Sequence, residues 1–177
     1  MNPSSFPPVP PDDPHRNLVI ARPDKDSALS HVSVVGGIYT VLLSGADTAG
    51  RHCLIDMHVP SGGGPPPHRH DFEETFSLLE GELEFTFRGT KANLKAGETL
   101  HVPANAPHHF QNISDRPARL LCTCSPAGQE EFFVAVGVPV ASRTTAAPPL
   151  DAAGLAVFRA KSASLLPQFK TEMVRPA

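Results

Sequence analysis

Residues 62–81 read GGGPPPHRHDFEETFSLLEG. A stiff glycine- and proline-rich approach runs into a segment that alternates polar and apolar side chains. Alternation with a period of two is the mark of a β-strand, on which residues of equal parity face the same way. On one strand, His68, His70, Phe72, Glu74, Phe76 and Leu78 would share a face. Two imidazoles and a carboxylate on one face offer half of a coordination shell for a divalent metal. His108, on a later strand and in step with Phe110, closes the set. Imidazole suits Zn, Cu, Fe and Ni, and a carboxylate adds affinity for harder ions such as Mn. One divalent transition metal is therefore the expected cofactor, with Fe, Mn, Ni, Zn, Co and Cu all open.

The flanking sequence repeats the strand signal. Residues 37–43 are β-rich between Gly36-Gly37 and Ser44-Gly45, and 51–59 alternate Cys53, Ile55, Met57 and Val59 against His52, Leu54, Asp56 and His58. Shorter runs at 74–79, 82–88, 90–94, 99–102, 108–113 and 118–123 are separated by Gly, Pro, Asn and Ser. About eight short strands at close spacing argue an all-β sandwich or barrel. Residues 128–136 could form a helical turn or two, and 151–166 have helix-forming composition, with Asp151 as cap and Pro167 as stop. Seven prolines before residue 24 exclude a helix there and predict an extended arm. The expected division is a Pro-rich arm over 1–31, a barrel over 32–140, and a linker with a C-terminal helical tail over 141–177.

The composition narrows the function classes. Proline is 20 of 177 residues, about twice the average usage, which argues against a helical bundle. A net charge of -3 gives no basic footprint for nucleic acid or for an anionic membrane. No run is long and apolar enough to span a bilayer, and the first thirty residues lack a secretory h-region. Three cysteines make no disulfide framework and fit a reducing compartment, so a cytoplasmic protein is expected. Cys122 and Cys124 share a parity but no further Cys or His completes a second site, so they read as small buried thiols. No nucleophile elbow or phosphate-cradling loop is present.

Two ordered motifs resemble the cupin superfamily. Gly62, five residues, His68-Arg69-His70, three residues, Glu74, six residues and Gly81 follow its first motif at every fixed position. Gly97, five residues, Pro103-Ala104-Asn105, two residues, His108, three residues and Asn112 follow its second, with Asn105 in place of a glycine. Asn tolerates positive φ best among non-glycine residues, so the turn is expected to survive. The resemblance implies a small antiparallel jelly-roll β-barrel with one metal held by His68, His70, Glu74 and His108, and with Glu74 as a candidate base. Glu73 is expected to face away. It further implies a likeness to quercetin dioxygenase-type bacterial cupins. The function expected is then a metal-dependent dioxygenase for a small aromatic or enolic substrate. A non-oxidative metal-dependent isomerase or lyase, and a non-catalytic binding protein, are the alternatives. Phe76, Phe85, Phe87, Phe110 and His101 are the candidate pocket wall, with Ile55, Met57 and Leu78 deeper. Cupins commonly dimerise by exchanging edge strands, so a homodimer is expected, the arm supplying one such strand.

Overall fold

The computed structural model describes residues 8–175; Pro3 and Pro7 of the expected arm lie outside them. Among these described residues, twelve strands form two antiparallel sheets that face each other, a jelly-roll architecture. The seven-stranded sheet has the order β11 (Val138–Pro139), β1 (His31–Val34), β2 (Gly37–Leu43), β3 (Cys53–Val59), β10 (Ala118–Ser125), β5 (Glu73–Glu80), β8 (Thr99–Val102). The five-stranded sheet has the order β12 (Thr171–Met173), β4 (His68–His70), β9 (His108–Gln111), β6 (Glu82–Phe87), β7 (Thr90–Lys95). A short helix α1 (Gly45–Thr48) follows β2, α2 (Gln129–Val136) follows β10, and α3 (Ala152–Leu165) precedes β12. Asp151 caps α3 by accepting from the Gly154 N–H at 2.7 Å.

The core lies between the sheets because the inward residues of each strand are its apolar set. On β3 these are Cys53, Ile55, Met57 and Val59, all buried. Leu78 and Leu120 on neighbouring strands of the same sheet, and Leu83 and Phe85 on the facing sheet, are 3 % exposed or less. Gly81, which joins β5 to β6, has φ +88, and a Cβ there would meet Ala118 at 3.0 Å. Glycine is therefore required by both conformation and space.

The His68-to-Leu78 run is not one strand. The chain leaves the five-stranded sheet after His70 and enters the seven-stranded sheet at Glu73. His68 and His70 thus stand on one wall and Glu74 on the other, and the three converge because both walls face the same interior. Neither glycine nor proline marks the crossing at Asp71-Phe72. The C-terminal tail contributes a strand the sequence did not announce. β12 pairs antiparallel with β4, setting Thr171 opposite His70 and Met173 opposite His68.

Candidate metal centre

Two proline-stiffened approaches aim the three candidate imidazole ligands. Pro65, Pro66 and Pro67 lead into β4, and Pro103 and Pro107 bracket the loop that delivers His108. Asn105 in that loop has φ 66, so Asn takes the left-handed conformation at the motif's glycine position. The Asn105 N–H donates to the His70 carbonyl at 2.7 Å, joining the loop to β4. Asn112 is fully buried and closes the far end of β9. Its Nδ2 donates to the carbonyls of Val59 at 3.1 Å and Arg116 at 2.7 Å, and its Oδ1 accepts from the Ser114 N–H and hydroxyl.

One ligand atom from each of His68, His70, Glu74 and His108 lies within 4.8 Å of the others. His70, Glu74 and His108 are at most 4 % exposed, and His68 is half-buried. Each imidazole is oriented by a backbone carbonyl two residues away. Nδ1 lies 2.9 Å from the Pro66 oxygen for His68, 2.8 Å from the Phe72 oxygen for His70, and 2.9 Å from the Ala106 oxygen for His108. A carbonyl only accepts, so each Nδ1 carries a proton, and in the neutral form of the ring Nε2 is the lone pair that faces Glu74. The His70 ring is further fixed by stacking on Phe72, with centroids 3.7 Å apart.

This donor set fits a divalent cation. The Glu74 Oε2 lies 2.9 Å from the His70 Nε2 and 3.1 Å from the His108 Nε2. Lone pairs aimed at a carboxylate oxygen at such distances repel unless a proton or a cation sits among them. Three imidazoles and one carboxylate would resolve that conflict by sharing a metal ion. Burial, with the neighbouring His108, pushes the His68 imidazole down to about 4, so its ring is neutral and able to ligate at neutral pH. Burial pushes the Glu74 carboxyl up, but the His108 and His70 rings beside it outweigh burial and hold the group well below the usual carboxylate range. The other oxygen, Oε1, meets the Cys124 thiol at 3.6 Å and the Cys122 thiol at 3.7 Å. A contact with Cys124 lowers the Cys122 thiol, yet burial and the Glu74 carboxylate carry it up to about 11. It stays protonated and able to donate to Glu74. The face shared by Cys122 and Cys124 therefore contains the carboxylate, a contact that only the β5–β10 register reveals. Glu73 is exposed on the other face, where its carboxylate lies 3.5 Å from the His101 Nε2.

A cavity of about 800 Å³ opens above these residues. His68, Glu74 and His108 form its base, with Phe76, Phe110 and Met57 on the strand walls. Its volume falls within the about 300–1,000 Å³ typical of small-ligand sites. Phe85 and Phe87, expected at the wall, do not reach it. Phe85 is 3 % exposed and stacks parallel to His108 with centroids 6.0 Å apart, bracing the ring from behind. Phe87 packs at the core's edge with the Arg88 guanidinium 4.8 Å over its ring. Ile55 and Leu78 lie deeper, in the core. His101 also stands away from the cavity. Its side chain is on the outer face of the β5–β8 ladder, half exposed, with Nδ1 3.2 Å from the Thr75 hydroxyl. Strand parity explains this: His101 pairs with Thr75, and Glu74, one residue earlier, is the inward one.

The remaining wall comes from β2 and from the two helices. Tyr39 reaches the cavity from β2 and packs edge-on against Phe133 of α2 at 4.9 Å. Burial pushes the Tyr39 phenol up, which keeps it protonated. Gln129 and Phe132 of α2 and Phe158 and Ser162 of α3 complete the lining. These helices are short and weakly amphipathic, and only their packing across the barrel mouth gives them a place in the site.

Residues 55–124 match the cupin domain family. An uncharacterised protein of Methanocaldococcus jannaschii is 29% identical over 116 residues, which cover 64% of this chain and 93% of that protein. The quercetin 2,3-dioxygenase of Bacillus subtilis is 27% identical over 103 residues, which cover 58% of this chain and 30% of the enzyme. This chain therefore spans less than a third of that enzyme's length. Among solved structures, a predicted oxalate decarboxylase from Thermotoga maritima has a TM-score of 0.53 at 21% identity, covering 61% of this chain and 99% of that one. That likeness is one of fold.

Proposed function

Residues 55–124 place this chain in the cupin superfamily, and from that membership we propose that it is a metal-dependent dioxygenase acting on a small aromatic or enolic molecule. The carrying observation is the convergence of three carbonyl-oriented imidazoles and one buried carboxylate at the base of a largely apolar cavity. His68, His70, Glu74 and His108 would hold one divalent transition metal. The ion would supply Lewis acidity toward a substrate oxygen.

The chain's own groups do the rest. Phe76, Phe110 and Met57 exclude water and lie against an apolar ring or chain. Glu74, ionised and beside the substrate, is the candidate acceptor of the proton an enol gives up. Its carboxyl is a weak base, so the matching substrate is one whose hydroxyl is already acidic. Tyr39 offers a phenolic proton from β2 of the same sheet, beside Met57. A homodimer in a reducing, cytoplasmic setting completes the proposal, with the arm over 1–31 contacting the second copy. Among the described residues, no helix is long and apolar enough to cross a membrane.

The test is elemental analysis of natively purified protein followed by oxygen uptake with flavonols and β-diketones. About one equivalent of transition metal, with oxygen consumed on substrate addition, is expected. Loss of bound metal in His108→Ala supports the ligand set, and unchanged metal content refutes it. Turnover without oxygen consumption would move the reading to a non-oxidative isomerase or lyase.

A further inference from the structure

The Glu74 carboxylate is held at both of its oxygens. Its Oε2 faces the Nε2 atoms of His70 and His108 at 2.9 and 3.1 Å. Its Oε1 meets the Cys122 sulfur at 3.7 Å and the Cys124 sulfur at 3.6 Å, and the two sulfurs are 3.6 Å apart. Among the described residues those two thiols are the hydrogen-bond partners of Oε1. Cys122 and Cys124 are at most 1% exposed and Glu74 is 4% exposed, so bulk water has little access to this oxygen. A buried carboxylate oxygen left without donors is costly. The strand register brings the groups together. Cys124 of β10 stands opposite Glu74 of β5, and Cys122 stands opposite Phe76. Side chains opposite and diagonal to one another across an antiparallel pair are close neighbours. The other inward residues of β10, Ala118 and Leu120, are buried and offer no donor. Thiols stand on this strand where the carboxylate arrives.

We propose that Cys122 and Cys124 are positioning residues for the metal centre: their S–H groups hold Oε1 and so keep Oε2 turned toward the imidazoles. The inference rests on the reading of His68, His70, Glu74 and His108 as metal ligands. The terminal torsion of a glutamate is broad, so the carboxylate plane is fixed only by what surrounds it. The thiols supply that restraint in the folded chain, before an ion arrives. A ligand oriented in this way by its neighbours binds a metal more firmly than one left to turn. A thiol suits the place for two reasons. It packs as a small apolar group, so β10 keeps its core face. It is a weak donor, so it anchors one oxygen while leaving most of the carboxylate charge for a cation. The sulfurs stand outside the ligand set, since the four-residue cluster and the cluster of Glu74 with the two cysteines share only Glu74.

The test compares two double variants of the full chain. Cys122→Ala with Cys124→Ala removes both donors, whereas Cys122→Ser with Cys124→Ser keeps them. Zn(II) affinity is measured by competition with a chromophoric chelator. The alanine pair is expected to bind Zn(II) about tenfold more weakly than wild type, or worse, and the serine pair to stay within about threefold. Both replacements are smaller than cysteine, so a packing role would make the two variants lose affinity alike, while a donor role spares serine. If the alanine pair does not fold, Cys122→Ala against Cys122→Ser carries the test, with a loss of about threefold expected in the alanine variant alone. Equal affinity in wild type and the alanine variant overturns the proposal, and so does an equal loss with alanine and with serine. A sulfur-to-cobalt charge-transfer band in Co(II)-loaded wild type would make the thiols ligands and overturns it as well. In each of those cases the metal-centre reading still stands. Wild type that takes up neither Zn(II) nor Co(II) overturns that reading and the proposal with it.

Discussion

Asn112 carries more structure than its size suggests. It satisfies two carbonyls and two donors around the turn after β9, and the backbone beside it is locked to the glycine loop by reciprocal bonds of 2.8 Å between residues 112 and 62–63. Asn112→Ala leaves the Val59 carbonyl buried without this donor, so a loss of about 1–3 kcal/mol in unfolding free energy is expected by chemical denaturation. The residue scale is also where the sequence is most legible. Histidine spacing and the contrast between Glu73 and Glu74 identify the cluster because metal ligation needs specific atoms at fixed separations, and that requirement is written in residue type. Asp56 is the opposite case. Its parity with His52, Leu54 and His58 places it on the outer face of β3, yet it is fully buried there. Arg119 grips it through two hydrogen bonds of 3.0 and 2.9 Å, and Arg143 adds a third of 3.1 Å. Those cations arrive from far along the chain, so no pattern near Asp56 could announce its burial.

At the scale of elements, the strand β4 is short and unusually dependent on its surroundings. It pairs with β9 only through His68 and His108, whereas β12 matches all three of its residues. The three prolines before it restrict the chain where hydrogen bonding is sparse. Pro67→Ala releases that restriction through backbone entropy. It is expected to weaken metal affinity several-fold while the melting temperature of the metal-free protein shifts by at most a few degrees. Equal affinities in the two proteins, measured by competition with a chromophoric chelator, would show the prolines to be irrelevant to the site. The strand pattern of the barrel was legible because alternation and turn residues are local. The crossing at Asp71-Phe72 and the pairing of β12 with β4 were not, because each depends on which distant edge accepts the chain.

For the whole molecule, the Asp56 network joins three regions. Arg143 of the segment after β11 binds both Asp56 and Asp24, so arm and tail are fastened to the outer face of the seven-stranded sheet. Burial raises the Asp56 carboxyl, but Arg119 and then Arg143 bring it below its ordinary 3.8. A carboxyl whose folded value is depressed stabilises the fold fully above the unfolded value and loses that contribution as pH falls through the folded one. The melting temperature should therefore hold down to about pH 5 and drop below about pH 4, with a shallower drop in Asp56→Asn. The arm also presents Leu18 and Ile20, 87% and 55% exposed, on an extended segment. Sedimentation should find a dimer at micromolar concentration, and Leu18→Asp with Ile20→Asp should shift it toward monomer; a wild-type monomer would discard the proposed assembly. The roof and the floor of the cavity are joined through the chain itself. The helix that roofs the cavity continues within a few residues into β12, and β12 is bonded to the strand bearing His68 and His70. The roof cannot swing away without slackening the floor. With a metal and a ligand bound as proposed, a displacement of α3 that admitted the ligand would also pull on the strand that carries His68 and His70.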